Sequence, residues 1–563
     1  MTRSCPHRRP IVGRLAPMGL ALLLAAGCSR VGPRASAPHP GDPPAATELP
    51  IRLVDVRESA GIDYRWEIAG KRPLTILQTI GNGVGLLDYD GDGHLDLLCV
   101  GARVALYRGD GTGQFADVSR AAGVAALRGH FLGCATGDFD NDGDPDLYLS
   151  AYRGGALLRN DGGRFTDITR RAGIAPQPWG SACSFADIDG DGRLDLYVGN
   201  YVVFGPNVKP QLCDFHGLLS SCGPRYYQPE RGVLYLNLGD GRFRDVTRAW
   251  GADRVSGKAL GVAIADFDGS GRQSIAIAND EVPGDLLLNL GKRFRNIGVA
   301  SNTAYDAEGN PHAGMGIDWG DFDLDGDLDL VVTTFVHEGK SVYRQEEPRF
   351  FTDVAAQLGL NEHTLPYVAF GVRWADFDND RWPDLLIANG HVQDNVAQID
   401  PAQSYRQPTQ LFRNREGSGF DYLTPAHGEP LTRAIVGRGV ATGDLDNDGR
   451  IDAVVVDSEG SPLVLMNRSP RVGRWLSLRL VGRRSNRDGI GARVIVTAGG
   501  RPQALRCATD GSYFSASDVR IHCGLGEATT ATVTIHWPSG ARTELRDVPA
   551  DRFVVVREGE AGY

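Results

Sequence analysis

Asp88-Tyr89-Asp90-Gly91-Asp92-Gly93-His94-Leu95-Asp96 places carboxylates at positions 1, 3, 5 and 9 of nine residues, with a glycine at position 6. That glycine permits a sharp turn that aims the position-7 carbonyl inward, so the stretch reads as a loop built around a hard cation. The pattern returns at Asp138, Asp187, Asp266, Asp321, Asp376 and Asp444. Successive starts lie 50, 49, 79, 55, 55 and 68 residues apart. A period near 50 with glycine-rich turns is the spacing of β-propeller blades, each a four-stranded sheet.

The flanks of the loops fit that reading. A short apolar strand containing small residues precedes each one, as in residues 83–87, 261–265 and 439–443, and a buried strand follows, such as 147–149 or 330–332. A third strand ends in residues like Leu234-Tyr235-Leu236-Asn237, and a fourth begins Phe115-Ala116-Asp117 or Phe165-Thr166-Asp167. The last repeat lacks the fourth element, while an orphan copy, Leu53-Val54-Asp55-Val56, stands before the first loop. Residues 51–62 are therefore expected to supply the outer strand of the last blade, closing a seven-bladed ring over residues 51–470 without exposed edges. The long third interval holds an insertion at residues 201–232.

Crowded carboxylates without nitrogen or sulfur donors specify Ca²⁺ over zinc or copper. The expected ligands are Asp88, Asp90, Asp92 and Asp96 with the His94 carbonyl, and Asp138, Asp140, Asp142 and Asp146 with that of Asp144. They continue with Asp187, Asp189, Asp191 and Asp195 with Arg193, and Asp321, Asp323, Asp325 and Asp329 with Asp327. Asp444, Asp446, Asp448 and Asp452 with Arg450 complete five full sites. Asp376, Asp378, Asp380 and Asp384 form a sixth whose geometry is in question, because Arg381 stands where glycine is expected. The loop from Asp266 has Ser270 and Ser274 at positions 5 and 9, so weak or no binding is expected there and about five or six ions in all. An EF-hand is excluded, since position 12 is Cys99, Leu149, Val198, Val332 or Val455 rather than glutamate.

The 563 residues carry a formal charge of −11, which argues against a nucleic-acid partner. Residues 1–27 read as an export signal, with Arg3, Arg8, Arg9 and Arg14 before a short apolar run that ends in Leu24-Ala25-Ala26-Gly27-Cys28. Small residues before cysteine resemble a bacterial lipobox, which makes Cys28 the expected lipidation site, with a Pro/Ala-rich tether extending to residue 50. Membrane attachment is expected through that lipid alone, in the outer membrane of the cell envelope; the alternative is an ordinary secretory signal with an incidental cysteine and a periplasmic or secreted chain. Cys213 with Cys222, and Cys507 with Cys523, are expected disulfides of an oxidising compartment, whereas Cys99, Cys134 and Cys183 lie on apolar strands as core residues.

The repeats resemble the FG-GAP/VCBS family, whose propellers carry such calcium loops. At the far end, residues 485–492, Gly511-Ser512-Tyr513, residues 522–526 and Trp537-Pro538-Ser539-Gly540 resemble the ASPIC/UnbV domain, expected over residues 473–557 as a small all-β unit. These resemblances imply architecture more than activity. The expected function is a calcium-bearing surface module that binds a protein or carbohydrate at the envelope. Two alternatives stand beside it. One is an enzyme over the channel, using His312, His391, Asp318 or Glu281; the other is an envelope assembly factor. Arg108-Gly109-Asp110 is read as a turn.

Overall fold

Glycine at the inner strands and aspartate at the hairpin tips decide how the chain folds. The computed structural model describes residues 49–470, 472–560 and 562, so the expected signal, Cys28 and most of the tether lie outside the described residues. The described chain is all-β, and its strands form many small antiparallel sheets.

Each of the seven aspartate loops joins the first two strands of one repeating motif. The first motif runs Val84–Leu87, Asp96–Cys99, Ala105–Gly109, Phe115–Asp117 in sheet order. Four later motifs repeat this order as separate four-stranded sheets. The two motifs carrying the Asp138 and Asp187 loops are fused into one seven-stranded sheet. The fusion runs through the long strand Asp146–Asn160, which pairs with His130–Gly137 and with Phe165–Asp167 and also touches Gln177–Ala186. In the last motif the outer position is filled by Leu53–Asp55, with Leu53 opposite Asn467 and Asp55 opposite Leu465. The orphan element before the first loop thus pairs with the last repeat, about 410 residues away in sequence. Within the insertion, Leu212–Phe215 and Leu218–Ser221 make a hairpin, and Cys213 is bonded to Cys222.

Asparagine at the end of the third strand stitches neighbouring motifs together. The Asn160 side-chain amide donates to the Tyr89 carbonyl of the preceding motif, and Asn237, Asn289, Asn414 and Asn467 donate likewise to Phe139, Ile188, Phe322 and Phe377. These carbonyls sit at the second position of a loop, so each stitch holds one loop to the next motif.

The C-terminal residues form a three-stranded and a four-stranded sheet. In the first, Arg474–Val481 pairs parallel with Arg552–Arg557 and antiparallel with Ile521–Gly526. They share one compact unit, Leu49–Tyr563, with the repeats. Cys507 and Cys523 do not pair. Both are buried free thiols, and they donate to different carbonyls: Cys507 to those of Asp488 and Val519, Cys523 to that of Leu476. The expected second disulfide is corrected accordingly; each sulfur finds its own carbonyl acceptors as a small core group. Cys99, Cys134 and Cys183 are likewise buried and free. Among the described residues no helix is long and apolar enough to cross a membrane.

Candidate metal centres and the domain docked on them

The seven loops close by one scheme. The first aspartate accepts the N–H of position 6 at 2.7–3.2 Å in every loop. Arg381 makes this bond to Asp376 at 2.7 Å with a left-handed backbone (φ 90°), so the turn keeps its form without the expected glycine. The position-5 carboxylates Asp92, Asp142, Asp191, Asp325, Asp380 and Asp448 each accept the N–H of position 7. Those donors include His94, Asp144, Arg193, Asp327 and Arg450, the residues whose carbonyls were expected to face an ion.

Position 9 anchors the loop to its sheet. Asp96 accepts the N–H groups of Tyr89 and Gly109, and Asp146, Asp195, Asp329, Asp384 and Asp452 each accept an equivalent pair. Position 3 behaves differently. One carboxylate oxygen of Asp90, Asp140, Asp189, Asp323, Asp378 and Asp446 is buried without any hydrogen-bond partner. A buried carboxylate oxygen left unpaired costs free energy, so its recurrence in six loops points to a ligand role.

Clusters such as Asp88, Asp90 and Asp96, or Asp376, Asp378 and Asp384, each bring three oxygens within 4.8 Å of one another, as a metal ion requires. Burial, reinforced by neighbouring carboxylates, raises the carboxyl pKa of Asp138, Asp321 and Asp444 to about 7, of Asp96 to about 8 and of Asp146 to about 9. Asp195, Asp329, Asp384 and Asp452 are pushed well above the usual range for the same reasons. A cation among these groups relieves that repulsion.

The Asp266 loop departs from the other six. Although burial pushes the Asp268 carboxyl up, its bonds to Ser270 and Arg349 bring it below the usual value. The Arg349 guanidinium sits 2.7 Å from that carboxylate, and Ser274 takes the ninth position. Arginines also reach the position-3 carboxylates Asp90, Asp378 and Asp446, so what sets this loop apart is the loss of the carboxylates at positions 5 and 9 and the Ser270 N–H that occupies Asp268 Oδ1.

The C-terminal domain lies directly on the loops, a contact not foreseen from the sequence. Asp138 donates its N–H to the Asp488 carboxylate, and Arg487 donates to Asn141. Ala504 donates to Asp321 itself, Arg381 to the Ala498 carbonyl, and Arg520 to the Asp444 carbonyl.

From this domain, residues 509–518 run through the centre of the repeats and reach the innermost strand of every motif. Ser515 and Ala516 bond with Val84 and Leu86, and the Phe514 carbonyl accepts from Cys134. Asp510 accepts from Ser184 and Ile264, Ser512 exchanges backbone bonds with Ile317, and Arg373 donates to the Asp510 carbonyl. Val440 and Thr442 donate to Ser512 and Ser517. This explains the small residues of the inner strands: a Cβ on Gly83 would lie 1.8 Å from the Phe514 carbonyl oxygen, and one on Gly439 2.2 Å from Ser515 Oγ. The plug itself is held in unusual backbone conformations, with Ser512 and Phe514 both left-handed (φ 63° and 56°), as closely packed surroundings impose.

The four candidate catalytic residues are not assembled into a site. Asp318 lies beside the plug, tied to Arg373 and Arg506. Glu281 pairs with Arg225. His312 and His391 are buried, and burial lowers their pKa to about 4 and about 3. No hydrogen bond joins any two of the four among the described residues. Arg108 binds Asp90 and Asp92 of its own loop, while Asp110 accepts from Thr112, so the tripeptide is engaged within its turn.

Residues 482–562 match the ASPIC and UnbV family, and residues 88–149, 138–198 and 321–387 match the FG-GAP-like repeat. The chain therefore carries FG-GAP-like repeats followed by an ASPIC/UnbV domain. It is 27% identical over 380 residues to human cartilage acidic protein 1, covering 64% of this chain and 50% of that protein. The chain thus spans about half the length of the curated relatives it matches. Among solved structures it is similar to an Agrocybe aegerita lectin that recognises non-reducing terminal N-acetylglucosamine, at 15% identity and a TM-score of 0.40, over 69% of this chain and 94% of the lectin. It is also similar to a Bacillus licheniformis rhamnogalacturonan lyase, at 13% identity and a TM-score of 0.35, over 74% and 75% of the two chains.

Proposed function

We propose that this chain is an exported, calcium-loaded interaction module: a seven-bladed ring in which six of the seven loops each hold one Ca²⁺. The observation that carries this reading is the buried, unpartnered position-3 oxygen repeated in those six loops. Donor sets made only of carboxylates and carbonyls suit a hard cation of flexible coordination. Six divalent ions would bring the mature chain from near −15, once the four arginines of residues 1–27 are removed, to about −3. The basic n-region, the apolar run and Cys28 support export and attachment to the outer membrane by lipid, and the Cys213–Cys222 bond suits an oxidising compartment.

In this reading calcium has a structural role. It stiffens the loops on which the C-terminal domain rests, and that domain fills the ring from the loop side. Partner binding, to a protein or carbohydrate of the envelope, then falls to the opposite face and the insertion. The test is capture of a crosslinked partner from envelope extract by wild type and by a variant in which residues 212–221 are replaced with a short glycine turn. Loss of the partner in the variant supports the reading; equal capture by both contradicts it.

A further inference from the structure

At the mouth away from the metal loops, the inner strands end around a cavity of about 220 Å³. Its floor is apolar: Leu260 and Phe370 come from inner strands, Met315 from the segment leading into Ile317–Gly320, and Ile76 and Ile80 from the N-terminal segment. The disulfide-closed insertion roofs it through Cys222, Arg225 and Tyr226, the last 52% exposed.

The cavity wall carries two adjacent acids. Asp280 is 8% exposed; its Oδ2 accepts the Tyr201 hydroxyl at 2.5 Å, and its Oδ1 accepts no hydrogen bond among the described residues. Glu281 lines the same cavity with a left-handed backbone (φ 55°), a conformation a glutamate adopts only when its surroundings impose it. Its carboxylate is held by Arg225, whose side chain is 71% exposed.

We infer that this cavity is a binding site for a small organic cation, an ammonium or guanidinium group carried on an apolar body. Charge and surface together select that class. The lining sets Asp280 and Glu281 against the Arg225 guanidinium, with the buried Lys258 ammonium near both acids, so an anion gains no net attraction there. A neutral polyol would satisfy Asp280 but leave the floor of Leu260, Met315 and Phe370 wet. An ammonium group gives Asp280 Oδ1 the charge-assisted donor it lacks, while the apolar body covers the floor. Phe335 adds aromatic surface of the kind that attracts cations, while Phe370 already carries the Arg438 guanidinium on one face, 3.8 Å from the ring centre. Arg225 is the resident stand-in, an exposed guanidinium that an entering cation displaces from Glu281.

This site uses none of the metal-loop residues, so it stands or falls separately from the calcium reading. The test is calorimetric titration of the calcium-replete mature chain with a panel of aryl and alkyl monoamines, phenethylamine and tryptamine among them. Phenethyl alcohol and phenylpropionate serve as the neutral and anionic counterparts. At least one amine is expected to bind while its counterparts do not. Asp280→Asn should weaken that amine by about tenfold or more, the loss of a charge-assisted hydrogen bond. Should Asp280→Asn fail to fold, Arg225→Ala provides the second arm: freeing Glu281 should tighten amine binding by about threefold or more. Failure of every amine to bind, alcohols binding as well as amines, or unchanged affinity in the folded Asp280→Asn chain would each overturn the proposal, as would weaker binding in Arg225→Ala.

Discussion

Ala504 of the C-terminal domain donates its backbone N–H to Oδ2 of Asp321, the first carboxylate of the fifth loop, at 2.8 Å. One carboxylate group thus belongs both to a cluster with Asp323 and Asp325 that could hold a metal ion and to the seat of the domain packed above it. The proposed cation binding would be joined to domain docking at that residue, and several outcomes are expected.

Asp321→Ala should remove about one ion from the metal content and leave the Ala504 N–H without its partner, at a cost of about 1–3 kcal/mol. Asp92→Ala, in a loop position more exposed to water, should lower stability less. Paired measurements of metal content and urea midpoint check both halves of this expectation.

Calcium-stripped protein should show inverted pH behaviour. The position-1 and position-9 carboxyls Asp187, Asp138, Asp96 and Asp146 have folded-state pKa values raised above their unfolded values, to between about 6 and about 9. Groups raised in this way contribute stability that is fully present below the unfolded value near 4 and is lost as pH rises through the folded values. The stripped chain should therefore melt higher at pH 5 than at pH 8.5, while in excess calcium the gain over the stripped chain should grow with pH. Melting scans across this range, with and without calcium, decide the point.

The plug should matter more than its length suggests. Tyr513 donates its hydroxyl to the Ile80 carbonyl at 2.7 Å, so Tyr513→Phe should cost about 1 kcal/mol. Phe514→Ala, at a side chain 2% exposed, should cost about 3 kcal/mol or more and make the C-terminal domain sensitive to protease before the repeats.

Asn467→Ala should be costly for a polar substitution. Its side chain donates to the carbonyls of Phe377 and Ile451, and its backbone N–H reaches Asp452. Removing the amide leaves two buried acceptors unpaired, about 2–4 kcal/mol, where an exposed asparagine such as Asn207 should change little. Thermal denaturation of the two variants measures the difference.

The repeat was legible because chemistry and period coincide: an Asp-x-Asp-x-Asp-Gly run every 50 residues fixes a hairpin tip, and the alternation around it fixes the strands. The pairing of Leu53 with Asn467 could be read the same way, since a ring missing one strand and a spare copy of that strand imply each other. The plug could not. Residues 509–518 look like any loop of small and aromatic residues, and their burial depends on seven strands far away in sequence. The third-strand asparagines were visible as a recurring residue, but their carbonyl partners belong to the preceding motif and no local pattern names them. For Cys507 and Cys523, number and compartment suggested a bond that position refused, because spacing carries no information on where two sulfurs point. Arg381 shows the converse: a non-glycine residue accepted in a left-handed turn because its N–H keeps the bond to Asp376.

The most direct measurement is the calcium content of the purified full-length chain after exhaustive dialysis against calcium-free buffer without chelator. The account predicts about six ions per chain, one for each loop with an unpartnered position-3 carboxylate oxygen, and none at the Asp266 loop, where serines replace the carboxylates of positions 5 and 9. Fewer than about three calcium ions per chain, or a full complement of a different metal, would contradict it.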